Sequence, residues 1–385
     1  MNHFQDEENR NDQTDACVNI RGYFKQYCAS SSIHGFQYLG EERSVFERIW
    51  WIIVFVIVLS GCSFMIYKIY EKYETSPVIV SFATKDTPIY KIPFPSITIC
   101  PVTKSVKEKF DYEKVTQKKT QGEVLTPNEE KYLQIMSLLC DDYDFETEAG
   151  NNSFINDYFD VLDEIKPDFL GNAINCKLLG DDYDCKDLFV PIMTDEGVCY
   201  SFNILDRRHI FNDLVSHYKG YHHVEDEDEE KWNMEKGYFD GVSIETYPKR
   251  ALLAGASKGF NVDLVTSRQD LDYSCHAIQG FKVVLHSAVR IPKLKQEYFR
   301  LPLDQAVVVA VQPVMITTSE EVKSFDPEKR DCYFPSEISL KYFKSYSQQN
   351  CQLECITNAT LHECDCVDIF MPSTYKETNL TLLQI

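Results

Sequence analysis

The chain has 385 residues, with 60 acidic against 39 basic side chains and a formal net charge of −21. That balance excludes recognition of a phosphate backbone as the main task, so no nucleic-acid partner is expected, whereas an acidic outer surface would concentrate cations. Fourteen cysteines argue against a protein wholly confined to a reducing compartment.

Residues 1 to 20 are polar, acidic and aperiodic, and read as a disordered lead with no lipidation signal. A short apolar and aromatic patch, Ser31 to Leu39, follows. Within it His34-Gly35 on its own is a flexible joint and not a site. Ile49 to Tyr67 then holds nineteen residues without a formal charge, closed by Arg48 and Lys68. As a helix it would measure about 28 Å at ~1.5 Å per residue, which matches a hydrocarbon core of about 30 Å. A signal peptide is excluded by its length and late start, and a buried soluble helix by its lack of a polar stripe. The predicted span is 49–69, with Trp50, Trp51, Tyr67 and Tyr70 at the headgroup zones.

Flanking charge does not orient this helix, because Arg43 and Arg48 are matched by Lys68 and Lys72. Cysteines and glycosylation acceptors do. Eleven cysteines and the sequons at Asn151, Asn358 and Asn379 all follow the helix, so residues 70–385 are expected outside the cell and 1–48 in the cytoplasm. This gives an α+β membrane protein, with one transmembrane helix and a disulfide-rich extracellular domain.

Past the helix, Ile89 to Cys100 reads as a strand pair interrupted by prolines. Thr126-Pro127-Asn128-Glu129 opens a helix with a capping box, and Tyr132, Leu133, Met136 and Leu139 supply its apolar face. Phe154, Tyr158 and Leu162, backed by Ile155 and Phe159, predict a second helix that stops before Pro167. Strands are predicted at Val198 to Ile204, Phe260 to Val265, Phe281 to His286 and Ala306 to Ile316. The acidic run Glu225 to Glu230 could offer oxygen ligands to calcium, but a solvated loop accounts for it better, since like charges repel. Cys351 and Cys355, followed by Cys364 and Cys366, would suggest zinc in cytosol, with His362 as a further ligand. Outside the cell disulfides are the default, so no metal and no cofactor are expected. Enzyme signatures such as H-E-x-x-H and a Gly-rich phosphate loop do not occur, and an enzyme is not expected.

These residues together resemble the degenerin and epithelial sodium channel family, most closely its insect pickpocket branch. The resemblance runs through Ile33-His34-Gly35, the membrane helix, Phe94 to Cys100, Cys176, Cys185 to Phe189, Gly197 to Asn203, Tyr346-Ser347, the four clustered cysteines and Phe370-Met371-Pro372. It covers about nine tenths of the chain.

The resemblance implies a subunit of a homo- or heterotrimeric, amiloride-sensitive sodium channel of the plasma membrane, opened by a ligand or by force. Its partners would be sodium ions, other channel subunits and membrane lipid. The ectodomain would comprise palm, finger, β-ball and thumb. His34 and Gly35 would carry the gating role of a loop that re-enters beneath the pore. By the same match Cys100 pairs with Cys199 and Cys176 with Cys185. Cys140 and Cys275 are left over and are assigned to each other. Cys332, Cys351, Cys355, Cys364 and Cys366 would bond to cysteines beyond residue 385, and are expected as open thiols here. No second apolar run of spanning length precedes Ile385, so the expectation is a subunit truncated before its second membrane helix. The alternative is a non-conducting single-pass receptor or regulatory subunit with the same ectodomain.

Overall fold

The computed structural model describes residues 20, 22–33, 35–40, 44–75, 78, 80–83, 85–140, 158–216, 218–221, 231–374 and 381–382. The chain forms two compact units, one of residues 1–82 with 316–332 and one of residues 83–315 with 333–385.

In the first unit, helix α1 (residues 22–30) and a one-turn helix Gln37–Gly40 precede the long helix α2, Val45–Thr75. Ser44 caps α2, its Oγ accepting from the Glu47 N–H at 3.4 Å. None of the 31 residues of α2 is buried. An apolar surface exposed on all sides is stable in hydrocarbon and not in water. The helix overshoots the predicted 49–69 at both ends, because backbone hydrogen bonding does not stop where the side chains turn polar. Past Tyr67 the Lys68–Glu71 ion pair at 2.7 Å supports the added turns.

The second unit is built on a five-stranded antiparallel sheet. Its strands are β1 (Ser96–Pro101), β3 (Phe189–Thr194), β4 (Gly197–Phe202), β6 (Phe281–His286) and β7 (Phe299–Leu301), in the order β7-β6-β1-β4-β3. Strands β2 (Ala173–Leu178) and β5 (Phe260–Leu264) form a smaller sheet with Asp181–Asp182. Side chains alternate between sheet faces, and here both faces are covered. Ile99, Tyr200 and Val283 enter one core with Phe169 and the Cys176–Cys185 pair, while Cys100, Cys199 and Val284 enter another with Tyr342, Phe343 and Leu353. Phe169 stacks on Tyr200 and Phe202 on Phe260, at 4.2 and 4.3 Å, tying the smaller sheet and its helical lead to the larger one.

Helices α3 (Tyr112–Thr120), α4 (Pro127–Ser137) and α5 (Tyr158–Ile165) form a separate layer. Thr126 and Glu129 make the predicted reciprocal capping box on α4. Helix α3 was not predicted, because only Tyr112 and Val115 give it a buried face. Phe154 and Ile155 lie outside the described residues. Helix α6 (Gln348–Cys364) is capped by Ser347 and ended by Asp365 in the left-handed conformation.

Two strand expectations are corrected. Ile89–Lys91 is a 3₁₀ turn, so the stretch 89–100 holds one strand and not two. Residues 306–316 carry no strand; their valines and Ile316 are exposed, and a strand requires a neighbouring ladder that none of the described residues supplies here. Strand β4 stops at Phe202 because Asn203 turns to φ +61°.

Candidate functional site

The first unit concentrates its aromatic contacts at the two ends of α2. At the amino-terminal end Gly35 has φ +83°, and a Cβ placed there would lie 3.1 Å from the Trp51 ring and 3.8 Å from Phe55. Only glycine meets both demands without strain. The close approach lets Phe36 meet Phe55 edge-on at 5.5 Å and Tyr38 stack on Trp51 at 4.6 Å. Residues 35–38 are thereby held against α2 by two rings. His34 lies outside the described residues.

At the carboxy-terminal end Tyr73 meets Phe325 edge-on, with ring centroids 6.1 Å apart, and Lys329 reaches Glu74 at 3.3 Å. Phe325 follows a 3₁₀ turn, Glu320–Ser324, and Lys329 sits in the single helical turn Pro327–Arg330. Arg330 is buried and binds the Cys332 carbonyl at 3.0 Å, which fixes that turn. A segment more than 240 residues away in sequence therefore grips the last turn of α2. Nothing in the local sequence pattern of 320–332 signals this role.

The second unit contains a buried ion triad that sequence reasoning missed. Glu196, in the turn between β3 and β4, accepts from Lys282 Nζ at 2.6 Å and from Lys104 Nζ at 3.1 Å. Lys104 spends its other protons on the carbonyls of Pro101 and Glu196. Burial opposes ionisation of Glu196, but the two lysines outweigh it and hold the carboxyl at about 2. The adjacent Asp195 accepts from the Leu294 and Lys295 N–H groups at 2.8 and 2.9 Å. Burial raises its pKa, and those two N–H groups partly offset the rise. One hairpin turn is thus anchored to two separate segments.

Behind it, Thr98 Oγ1 lies 2.9 Å from Ser201 Oγ and 2.7 Å from His286 Nε2, while His286 Nδ1 lies 2.9 Å from the Ser287 carbonyl. A carbonyl only accepts, so Nδ1 carries the proton and Nε2 accepts from Thr98, whose own oxygen takes the Ser201 proton. Burial lowers the His286 pKa to about 4.

The structure joins Cys100 to Cys199, Cys140 to Cys275 and Cys176 to Cys185, the three pairs named from the resemblance and the remainder. It also joins Cys364 to Cys366, which corrects the expectation of open thiols at those two positions. The left-handed Asp365 between them turns the chain back and brings their Cα atoms to 5.1 Å, within disulfide range. Cys332, Cys351 and Cys355 are free thiols. Asn358 is exposed on α6, where Tyr342 Oη donates to its side-chain oxygen at 3.4 Å. Asn151, Asn379 and the acidic run 225–230 lie outside the described residues. Among the described residues no group of three or more His, Cys, Asp or Glu side chains could hold a metal.

A sequence model of the amiloride-sensitive sodium channel family matches residues 27–385. The chain belongs to that family. Its relatives include pickpocket protein 28 of Drosophila melanogaster, 27% identical over 96% of this chain and 59% of the relative. The sodium channel protein Nach of the same fly is 23% identical over 91% of this chain and 64% of the relative. The human bile acid-sensitive ion channel is 22% identical over 92% and 60%. The chain spans about three fifths of the length of these relatives.

Proposed function

We propose that the chain is a subunit of an amiloride-sensitive sodium channel in the plasma membrane, assembling with two like or related subunits, its amino terminus in the cytoplasm and residues 70–385 outside. Residues 94–101, 189–202 and 281–286 then belong to the palm and β-ball, helices α3 to α5 to the finger, and α6 to the thumb. The observation that carries the reading is the family match from residue 27 to residue 385. The ring contacts of Gly35, Phe36 and Tyr38 with Trp51 and Phe55 support a gating role for the loop that holds His34 and Gly35. A shift of α2 by one turn would separate these rings, so loop and helix move together or lose their contact.

The test is two-electrode recording from oocytes that express a full-length pickpocket relative with and without this chain. The expected result is a change in amiloride-sensitive sodium current that surface-expressed chain produces and Gly35→Val abolishes. An unchanged current, with surface biotinylation showing the chain at the plasma membrane, would refute the proposal.

A further inference from the structure

A cleft of about 320 Å³, counted to its open mouth, lies in the second unit between the helical layer and the five-stranded sheet. That is the small end of the range usual for ligand pockets. Its walls are mostly apolar: Pro101 at the end of β1, Leu139 just past α4, Leu162 on α5, Pro167 just past α5, and Val198 on β4. Tyr200, two residues beyond Val198 on the same face of β4, completes it.

Tyr200 is 4% exposed, and its ring stacks on Phe169 at 4.2 Å. A buried tyrosine usually finds a partner for its hydroxyl. Here none of the described residues bonds to Tyr200 Oη, and the oxygen is not sealed from solvent. The cleft that Tyr200 lines is its way out. Burial raises the Tyr200 pKa, and Asp168 and Asp163 add to the rise, so the proton stays on the oxygen and is available for donation. The two ammonium groups that border the cleft are already engaged. Lys166 Nζ donates to Asp163 and, at 2.7 Å, to Tyr218 Oη, while Lys104 Nζ donates to Glu196 at 3.1 Å. A negatively charged ligand would have to displace one of these carboxylates, so the site suits a neutral one.

We propose that this cleft binds a small neutral amphipathic molecule whose carbonyl oxygen accepts from the Tyr200 hydroxyl, with its hydrocarbon part on Leu139, Leu162 and Val198. The hydroxyl, otherwise without a protein partner, gains a hydrogen bond, which favours such a ligand over a plain hydrocarbon of the same shape. A molecule seated there touches α5, β4 and the segment after β1 together, and so ties the helical layer to the sheet.

The test uses the full chain, purified in detergent, and an aliphatic ketone that carries a diazirine as the probe. After irradiation, adducts are mapped by mass spectrometry. Adducts are expected on the peptides that hold Leu139, Leu162 or Val198, and excess cyclohexanone should suppress them. The same diazirine on an alkane without the carbonyl should label these peptides about two- to tenfold less, and Tyr200→Phe should lower the ketone's yield by the same factor. Labelling that is absent, or confined to α2, overturns the proposal. So do equal yields from ketone and alkane, or from Tyr200→Phe and wild type. Tyr200→Phe removes a hydroxyl with no partner among the described residues, so its thermal unfolding should match that of wild type. A destabilised variant would show that the hydroxyl is already engaged within the protein, and would overturn the proposal as well.

Discussion

Lys282 Nζ stands 2.6 Å from a Glu196 carboxylate that is almost wholly buried and also receives Lys104. Two buried cations and one buried anion are stable only while the set is complete. Replacing Glu196 by Gln should cost about 3–5 kcal/mol, because it strands two ammonium groups in the interior. Thermal unfolding of the detergent-solubilised chain measures the loss. A variant as stable as wild type would show that the triad is hydrated.

The acid stability of the chain should fall in two windows. His286 has a folded-state pKa lowered to about 4 from 6.5, so its neutral form contributes stability that is complete above pH 6.5 and lost as pH falls towards 4. The shift corresponds to about 3 kcal/mol. Glu196, lowered from 4.5 to about 2, loses its contribution only below pH 4.5. His286→Gln should flatten the upper window and leave the lower one, as followed by unfolding at stepped pH.

Gly35→Ala adds two separate strains, a positive φ for an L-residue and a Cβ at 3.1 Å from Trp51. The first costs about 1–2 kcal/mol wherever it occurs. Trp51→Ala removes the second alone. A double-mutant cycle read as current modulation should therefore show partial rescue of Gly35→Ala by Trp51→Ala, and full rescue or none would contradict this division.

At the carboxy-terminal end of α2 the Lys329–Glu74 pair is about half exposed, so its coupling should be below about 1 kcal/mol and should vanish in high salt. Phe325→Ala should matter more, since an aromatic pair contributes about 0.5–1.5 kcal/mol beyond its area. Swapping the charges of Glu74 and Lys329 together should preserve function in the recording assay, while Phe325→Ala should not.

Non-reducing peptide maps should recover Cys364 joined to Cys366, and Cys351 and Cys355 should take an alkylating reagent in the native chain. A map joining Cys351 to Cys366 and Cys355 to Cys364 would overturn both assignments.

What was legible in the sequence follows from short-range physics. The long apolar helix α2 needs only a run of apolar residues, the α4 capping box only four consecutive ones, and the Phe281–His286 strand only its β-rich composition between turns. Family motifs named the Cys100–Cys199 and Cys176–Cys185 pairs and the Gly35 loop, and Cys140–Cys275 was what remained. Tertiary structure alone decided the rest. Residues 306–316 have every local mark of a strand but no ladder partner among the described residues, and a strand exists only as half of a pair. The Glu196 triad joins residues 92 and 86 positions apart, and charge type carries no signal of burial at such distances. Cys364 and Cys366 close on each other because Asp365 is left-handed at a helix end, a backbone state set by how α6 stops. The grip of Phe325 and Lys329 on α2 has the same origin: contacts between distant segments are created by the fold, so neither partner alone encodes them.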